Sequence, residues 1–208
     1  YMKFNYSYQP LKLRTPNELR VNGYYDSDWA SDSNDRKSIS SYLTTLGDTC
    51  LVNFGSKKQN SVALSSAEAE TVSGALLAQD IVYINGLIEE IMGEPALQPS
   101  YQRGDNRASL FIMGKNSICP RTKHQHIRER FVTDLVKEER LKLEHVSTEE
   151  NPSDIGSKNV KQSLHDKHKD TIYDGRFFLK REDVARSFRK ETRKPKNRWK
   201  RRRAKLIR

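Results

Sequence analysis

The segment Val62-Ala-Leu-Ser-Ser-Ala-Glu-Ala-Glu-Thr71 marks the start of a long helix. Ser65 or Ser66 can serve as its N-cap, because a serine hydroxyl accepts a hydrogen bond from the free N–H groups of a first helical turn. Apolar residues then recur at helical spacing until about Gly93: Leu77, Ile81, Ile84, Ile88 and Ile91. This stripe predicts a helix packed against a sheet.

The two glutamates of this segment cannot share one role. Residues two positions apart in a helix lie roughly 200° apart around its axis. Glu70 lies on the apolar face with Gly74 and Leu77, whereas Glu68 lies in the first turn, where an acid complements the helix dipole. We therefore predict Glu70 to face a functional site and Glu68 to serve the helix start.

Around this helix the pattern predicts an α/β fold with a five-stranded mixed sheet flanked by helices. Strands are predicted at residues 20–28, 40–46 and 49–55, and the Gly47-Asp48 pair between the last two is typical of a hairpin in an antiparallel meander. Strands near 99–103 and 141–146 alternate with helices at 106–113, 126–139 and 151–158. The inward side of the helix at 126–139 is predicted from Ile127, Phe131, Leu135 and Val136.

Composition indicates a polyanionic partner and more than one segment. The 208 residues carry a formal net charge of +11, with 31% charged and 35% hydrophobic residues. Nucleic acid is the expected partner, and a surface adapted for solubility is the alternative. We predict a lead-in at 1–19, a folded domain at 20–160 and a basic C-terminal extension at 161–208. Tyr1 followed by Met2 indicates a fragment of a longer polypeptide.

Cysteine content and hydropathy exclude several other classes of protein. Cys50 and Cys119 supply neither a disulfide framework nor a zinc ligand set, which favours a reducing compartment. No uninterrupted apolar run approaches the roughly 20 residues that a membrane span needs, so no membrane partner is predicted. The sequence leaves the oligomeric state open.

Four acids lie at the edges of predicted elements. Asp26 is near the end of the first strand, Asp105 follows the fourth strand, and Asp154 opens the last helix, while Glu70 lies near the start of the long helix. Converging carboxylates are the ligands that Mg²⁺ prefers, and paired ions support phosphoryl chemistry. Asp154 could equally be a helix cap.

Seven motifs in consistent order make this pattern specific. They are Gly23-Tyr-Tyr-Asp-Ser-Asp-Trp-Ala30, Asp35-Arg-Lys-Ser-Ile-Ser40, Ser56-Lys-Lys-Gln59, Val62-Ala-Leu-Ser-Ser-Ala-Glu-Ala-Glu70, Gly104-Asp-Asn106, Arg121-Thr-Lys-His124 and Ser147-Thr-Glu-Glu-Asn-Pro-Ser-Asp154. Over about residues 1–160 they resemble the ribonuclease H domain of the Pol polyprotein of copia-type LTR retrotransposons.

The resemblance implies a ribonuclease H-like fold and a catalytic, metal-binding quartet of Asp26, Glu70, Asp105 and Asp154. It implies two Mg²⁺ ions, with Mn²⁺ as a substitute, and hydrolysis of the RNA strand of an RNA–DNA hybrid during reverse transcription. The expected partner in cis is a reverse transcriptase domain, and the expected location is a cytoplasmic virus-like particle, with the nucleus as the alternative. The alternative function is an inactive or domesticated nucleic-acid-binding module.

A second set of residues is predicted to contact nucleic acid. Polar and basic side chains follow the third strand, the fourth strand and the loop before the third helix, and an aromatic residue among cations lies in the basic tail. The set is Lys57, Lys58, Gln59, Asn106, Arg121, Lys123, Trp199, Arg201, Arg202 and Arg203. His145 is set aside, because it falls inside the predicted last strand.

Overall fold

The computed structural model describes residues 19–48, 50–114 and 123–174. Within these ranges the elements are β1 Arg20–Asp28, β2 Ile39–Leu46, β3 Cys50–Lys58, α1 Ser66–Met92, β4 Leu97–Gly104, α2 Arg107–Gly114, α3 Lys123–Lys137, β5 Leu141–His145, a 3₁₀ turn at Thr148–Glu150, α4 Asp154–Ser157 and α5 Gln162–Asp174. Predicted and observed bounds differ by a few residues at most elements.

The five strands form one mixed sheet in the order β3-β2-β1-β4-β5. β1, β2 and β3 pair antiparallel, and Gly47, with φ 58°, begins the turn between β2 and β3. β4 pairs parallel with both β1 and β5, so the carboxyl ends of these three strands meet at one edge. The predicted α/β class, the antiparallel meander and the five-stranded mixed sheet flanked by helices are confirmed.

Helix α1 packs its apolar stripe against β1 and β2. Leu77 and Ile81 are buried in a core with Val21 and Tyr25 of β1. Gly23 leaves room for this approach, because a Cβ there would overlap the Leu77 side chain. By length and composition α1 could also cross a membrane, but half of its apolar window is buried within the domain.

Two predicted core positions are wrong. Ile91 lies in the last turn of α1 and is exposed, whereas Ile88, one turn earlier, is buried. Ile127 of α3 is also exposed, whereas Val132 is fully buried. Five residues at about 100° each place Ile127 roughly 140° away from Val132 around the helix, so the two cannot share a face.

Helices α4 and α5 follow the sheet. Thr44 of β2 donates to Asp80 of α1, whereas Gly156 of α4 accepts from Ser56 of β3 and lies against Ser41 of β2. Because side chains alternate along a strand, Thr44 and Ser41 point to opposite faces, and α4 therefore covers the face away from α1. Helix α5 lies beyond residue 160, and its polar sequence did not predict it. The predicted segment boundaries stay predictions.

A candidate acidic active site

Three acids converge where the carboxyl ends of β1 and β4 meet the start of α1. Asp26 lies near the end of β1, Asp105 directly follows β4, and Glu70 lies in the second turn of α1. Carboxylate oxygens of these three residues lie within 4.8 Å of one another. The parallel pairing of β1 and β4 causes this convergence, since strand ends that point the same way form a common crevice.

Glu70 is almost completely buried, as is Asp26, whereas Asp105 is partly exposed. Glu70 Oε1 accepts a hydrogen bond from the Ser27 N–H at 3.1 Å, whereas the buried Oε2 has no hydrogen-bond partner among the described residues. Burial, followed by the charges of Asp26 and Asp105, raises the pKa of Glu70 to about 9. Without a bound cation, Glu70 therefore keeps its proton at pH values at which an ordinary glutamate has lost it.

Asp154 lies beside this cluster and has a cation of its own. Its carboxylate is buried, and the Lys158 ammonium lies 3.1 Å from Asp154 Oδ2 and 3.3 Å from Asp26 Oδ2. Burial and the charge of Asp26 raise the pKa of Asp154 to about 7, although Lys158 opposes the shift. Ser153, and not Asp154, occupies the N-cap position of α4. Lys158 thus connects Asp154 to the three-acid cluster, because its ammonium pairs with both Asp154 and Asp26.

Hydroxyl groups from the chain around α4 hold two of the acids in place. The Ser157 hydroxyl donates to Asp26 Oδ2, and the Thr148 hydroxyl donates to Asp105 Oδ2 at 2.7 Å. The Asn151 side-chain amide donates to the Tyr25 carbonyl at 2.9 Å and so ties this segment to β1. Sequence reasoning missed these residues, although their position within a few residues of Asp154 was a signal that could have identified them.

His145 lies at the site after all. It is the last residue of β5, its ring is exposed, and Nε2 lies 3.1 Å from the Asp105 carbonyl oxygen. A carbonyl oxygen only accepts, so this contact places the proton on Nε2. Pairing β5 with β4 in register at Gly104 brings His145 beside Asp105, which a strand assignment alone did not reveal.

Glu68 has the structural role that the helix geometry predicts. The Ser65 hydroxyl accepts from the Glu68 N–H at 3.2 Å, and Glu68 Oε2 accepts from the Leu64 N–H at 2.7 Å. These reciprocal bonds satisfy backbone donors at the helix start, as in a capping box. The assignment of Glu68 to the helix start is confirmed.

The residues predicted to contact nucleic acid divide into several groups. Lys57 is exposed, while Lys58 is exposed and forms ion pairs with Asp32 and Asp35. Asn106 caps α2, since its Oδ1 accepts from the N–H groups of two residues of that helix. The side chain of Lys123 and the whole of residues Arg121, Trp199, Arg201, Arg202 and Arg203 lie outside the described part of the chain.

Gln59 does not fit a phosphate contact, and this prediction is corrected. Its side chain is buried, and its amide nitrogen donates to Ser40 Oγ at 2.9 Å and to the Ala69 carbonyl at 3.0 Å. Gln59 therefore joins the end of β3 to β2 and α1. Gln59 directly follows the exposed Lys57 and Lys58 in sequence, but its side chain points into the protein.

The donor set fits a hard divalent cation. Carboxylate oxygens are the ligands that Mg²⁺ and Mn²⁺ prefer, and sites of this type need neither Cys nor His. Glu70 Oε2 is buried without a hydrogen-bond partner among the described residues, and one carboxylate oxygen of Glu70 lies within 4.8 Å of an oxygen of Asp26 and of Asp105. A bound cation would stabilise the ionised form of these acids, which burial alone disfavours.

Sequence comparison identifies relatives of this chain. It is 33% identical over 141 residues to the retrovirus-related Pol polyprotein from transposon TNT 1-94 of Nicotiana tabacum, a match that covers 67% of this chain and 10% of the relative. The chain is homologous to copia-type retrotransposon Pol polyproteins. The Pol polyprotein from transposon RE1 of Arabidopsis thaliana is 30% identical over 151 residues, covering 73% of this chain and 10% of that protein. This Pol-related chain therefore spans about a tenth of the length of these relatives.

Comparison with solved structures adds one further finding. The Pol-related chain is similar to RNase H1 from the halophilic archaeon Halobacterium salinarum, with a TM-score of 0.47 and 15% identity over 66% of this chain and 94% of that one. No family model matches the chain. The recognition of a retrotransposon Pol relative, made from the seven motifs, is confirmed by the sequence relatives.

Proposed function

We propose that this chain is a divalent-cation-dependent ribonuclease H, which hydrolyses the RNA strand of RNA–DNA hybrids during reverse transcription of a retrotransposon. The observation that carries the proposal is the convergence of Asp26, Glu70 and Asp105, with carboxylate oxygens within 4.8 Å of one another at the edge of the sheet. Homology to Pol polyproteins supports the same reading. On this proposal a reverse transcriptase domain is the partner in cis, and a cytoplasmic particle is the working location.

Two Mg²⁺ ions, with Mn²⁺ as a substitute, are the proposed cofactor, and Asp26, Glu70, Asp105 and Asp154 would hold them. Bound at such a site, divalent ions lower the pKa of water and stabilise charge that develops on phosphate oxygens. The chain's own residues prepare this arrangement. The Ser27 N–H fixes one oxygen of Glu70, and the Thr148 hydroxyl fixes one oxygen of Asp105. Carboxylates held in this way need little reorganisation when substrate arrives.

Cleavage of a hybrid with a labelled RNA strand tests the proposal. The 208-residue chain is purified from a host that lacks its own ribonucleases H and is assayed with Mg²⁺ and with EDTA. We expect cleavage by the wild type only with Mg²⁺, and a loss of roughly a thousandfold in Asp26→Asn and in Asp105→Asn, because each loses a charged ligand but little volume.

Glu68→Gln is the matched control, because Glu68 lies on the same helix and serves only its start. It should retain cleavage close to that of the wild type. A wild type that binds the hybrid but does not cleave it under any Mg²⁺ concentration would contradict the enzyme and favour the nucleic-acid-binding module. Loss of cleavage in only one of the two aspartate variants would contradict the proposed ligand set.

A further inference from the structure

Lys158 places a positive charge inside the acidic site. Its ammonium lies 3.1 Å from Asp154 and 3.3 Å from Asp26, and both carboxylates are almost completely buried. Lys158 is the C-cap residue of α4, so a short helix carries both Asp154 and the lysine that pairs with it. The ammonium therefore lies where a cation shared by Asp26 and Asp154 would lie.

The other side of the site has no such charge. Among the described residues, neither Glu70 nor Asp105 forms an ion pair, and the buried Oε2 of Glu70 has no hydrogen-bond partner there. Asp26 belongs to both sides, because its Oδ2 accepts from Ser157 and pairs with Lys158 while the residue also approaches Glu70 and Asp105. A lysine of the protein therefore lies beside Asp26 and Asp154, whereas no cation of the described residues pairs with Glu70 or Asp105.

The Lys158 side chain has room to turn away from Asp26 and Asp154. It is 32% exposed, and it lines an open cleft together with Asp28 and with Asp32, which already pairs with Lys58. A lysine has four rotatable side-chain bonds and carries its charge at the tip, so the ammonium can turn toward the open cleft and the carboxylate of Asp28. Because it is tethered, its effective concentration at the Asp26–Asp154 pair is high, and a dissolved cation has to compete with it.

We propose that Lys158 is a built-in cation that excludes a divalent ion from the Asp26–Asp154 side of the site. The free protein then binds one divalent ion tightly, at Asp26, Glu70 and Asp105. A second ion binds between Asp26 and Asp154 only when Lys158 turns into the cleft. This inference rests on the proposed function for the presence of divalent ions, and it assigns to Lys158 the control of how many are bound.

Mn²⁺ binding measured by electron paramagnetic resonance of the free ion tests the inference without any activity assay. We expect the wild type to bind one tight equivalent of Mn²⁺. Lys158→Met should bind two, or should bind the second at least about tenfold more tightly, since it lacks the competing charge. Lys158→Arg should behave as the wild type. Lys161→Met is the matched control, because Lys161 is exposed on the same segment, and it should bind one equivalent.

A second measurement uses the wild type and does not depend on the folding of a variant. Brief acetylation of lysines, analysed by mass spectrometry, reports how accessible each amine is. Raising Mn²⁺ beyond the first equivalent should increase modification of Lys158 severalfold while leaving Lys161 unchanged. Acetylation of Lys158 that does not depend on Mn²⁺ would contradict the inference.

The outcomes separate the two proposals. Equal Mn²⁺ stoichiometry and affinity in the wild type and in folded Lys158→Met overturn the role of Lys158, even if the wild type cleaves the hybrid. Absence of Mn²⁺ binding in both proteins overturns the divalent-cation site itself, and with it the proposed function.

Discussion

Glu70 and Asp154 are both buried acids of the same site, yet each is accommodated in a different way. Asp154 has Lys158 at 3.1 Å, a cation supplied by the next turn of its own segment. Glu70 has a backbone N–H on one oxygen and no partner for the other among the described residues, and its pKa is raised to about 9. The carboxylate oxygens of Asp154 also accept no hydrogen bond from the described residues, so the nearby Lys158 charge is what distinguishes Asp154 from Glu70, which has no cation beside it there.

This difference indicates which carboxylates need a cation that the protein does not supply. A buried carboxylate is costly unless it is paired, hydrogen-bonded or protonated. The Asp154 side meets that cost with an ion pair, whereas the Asp26–Glu70–Asp105 side meets it with a proton that a divalent ion can replace. The carboxylates of Asp26, Glu70 and Asp105 are accordingly the ones at which we expect a divalent ion to bind.

The largest expected effect separates Glu70 from its neighbour Glu68. Glu70→Gln should lower hybrid cleavage by roughly a thousandfold, because it removes a ligand charge at the convergence of the acids. Glu68→Gln should leave cleavage within about twofold of the wild type, since Glu68 contacts only the helix start. Single-turnover cleavage of the labelled hybrid measures both. Equal losses in the two variants would contradict the assignment of Glu70 to the site and of Glu68 to the helix start.

The next effect is the dependence of stability on pH in the absence of divalent ions. Glu70 has an ordinary pKa of 4.5 and a folded-state pKa of about 9, so the folded protein binds the proton more tightly than the unfolded chain does. The free energy of unfolding should therefore fall as the pH rises from about 4.5 to about 9, by a few kcal/mol. Urea unfolding in EDTA at several pH values measures this slope.

Two comparisons sharpen that pH result. Glu70→Gln should show a smaller fall over the same range, and saturating Mg²⁺ should reduce the fall in the wild type, because a bound cation favours the ionised acid. A Glu70→Gln protein with the same slope as the wild type would assign the pH dependence to other groups, Asp154 among them, whose pKa of about 7 acts in the same direction.

Two glycines, one near Asp105 and one near Asp154, allow the tightness of packing on the two sides of the site to be compared. A Cβ at Gly104, beside Asp105, would overlap the ring of Tyr25. This ring is fully buried, and its hydroxyl forms a hydrogen bond with the Ser109 hydroxyl. A Cβ at Gly156, beside Asp154, would overlap the hydroxyl of Ser41, a small side chain that can rotate. Gly104→Ala should destabilise the fold by about 2–3 kcal/mol and Gly156→Ala by about 1 kcal/mol or less. Thermal unfolding that ranks the two in reverse would contradict this packing.

The smallest effect concerns the helix start below Glu70. Ser65→Ala removes the hydroxyl that accepts from the Glu68 N–H, and should cost about 1 kcal/mol of stability. Cleavage should be retained at temperatures where the protein is folded, because Glu70 keeps its contact with Ser27. Denaturant unfolding and cleavage, measured on the same preparation, distinguish a loss of stability from a loss of the site.

Local features of the fold were predictable from the sequence. The β2–β3 turn follows from Gly47-Asp48, and the start of α1 follows from Ser65 and its spacing to Glu68. Both depend on interactions over a few residues. The assignment of Ile127 to the core failed, because a stripe counted along the sequence does not reveal which face of α3 meets its neighbours.

The site was predictable only in part, for the same physical reason. The four acids were recognisable by type and by position at element ends, but the contacts that hold them join residues far apart in sequence. Ser157 and Asp26 are separated by 131 positions, and Thr148 and Asp105 by 43. Lys158 and His145 reach the acids through strand pairing and through the placement of α4, neither of which a local pattern contains.

Anomalous diffraction from a crystal of this protein grown with Mn²⁺ tests the central claim most directly. The account predicts an anomalous peak coordinated by Asp26, Glu70 and Asp105, whose carboxylate oxygens lie within 4.8 Å of one another. At low Mn²⁺ concentration Lys158 should still contact Asp154. A crystal at millimolar Mn²⁺ with the three carboxylates in place and no peak between them would contradict the account.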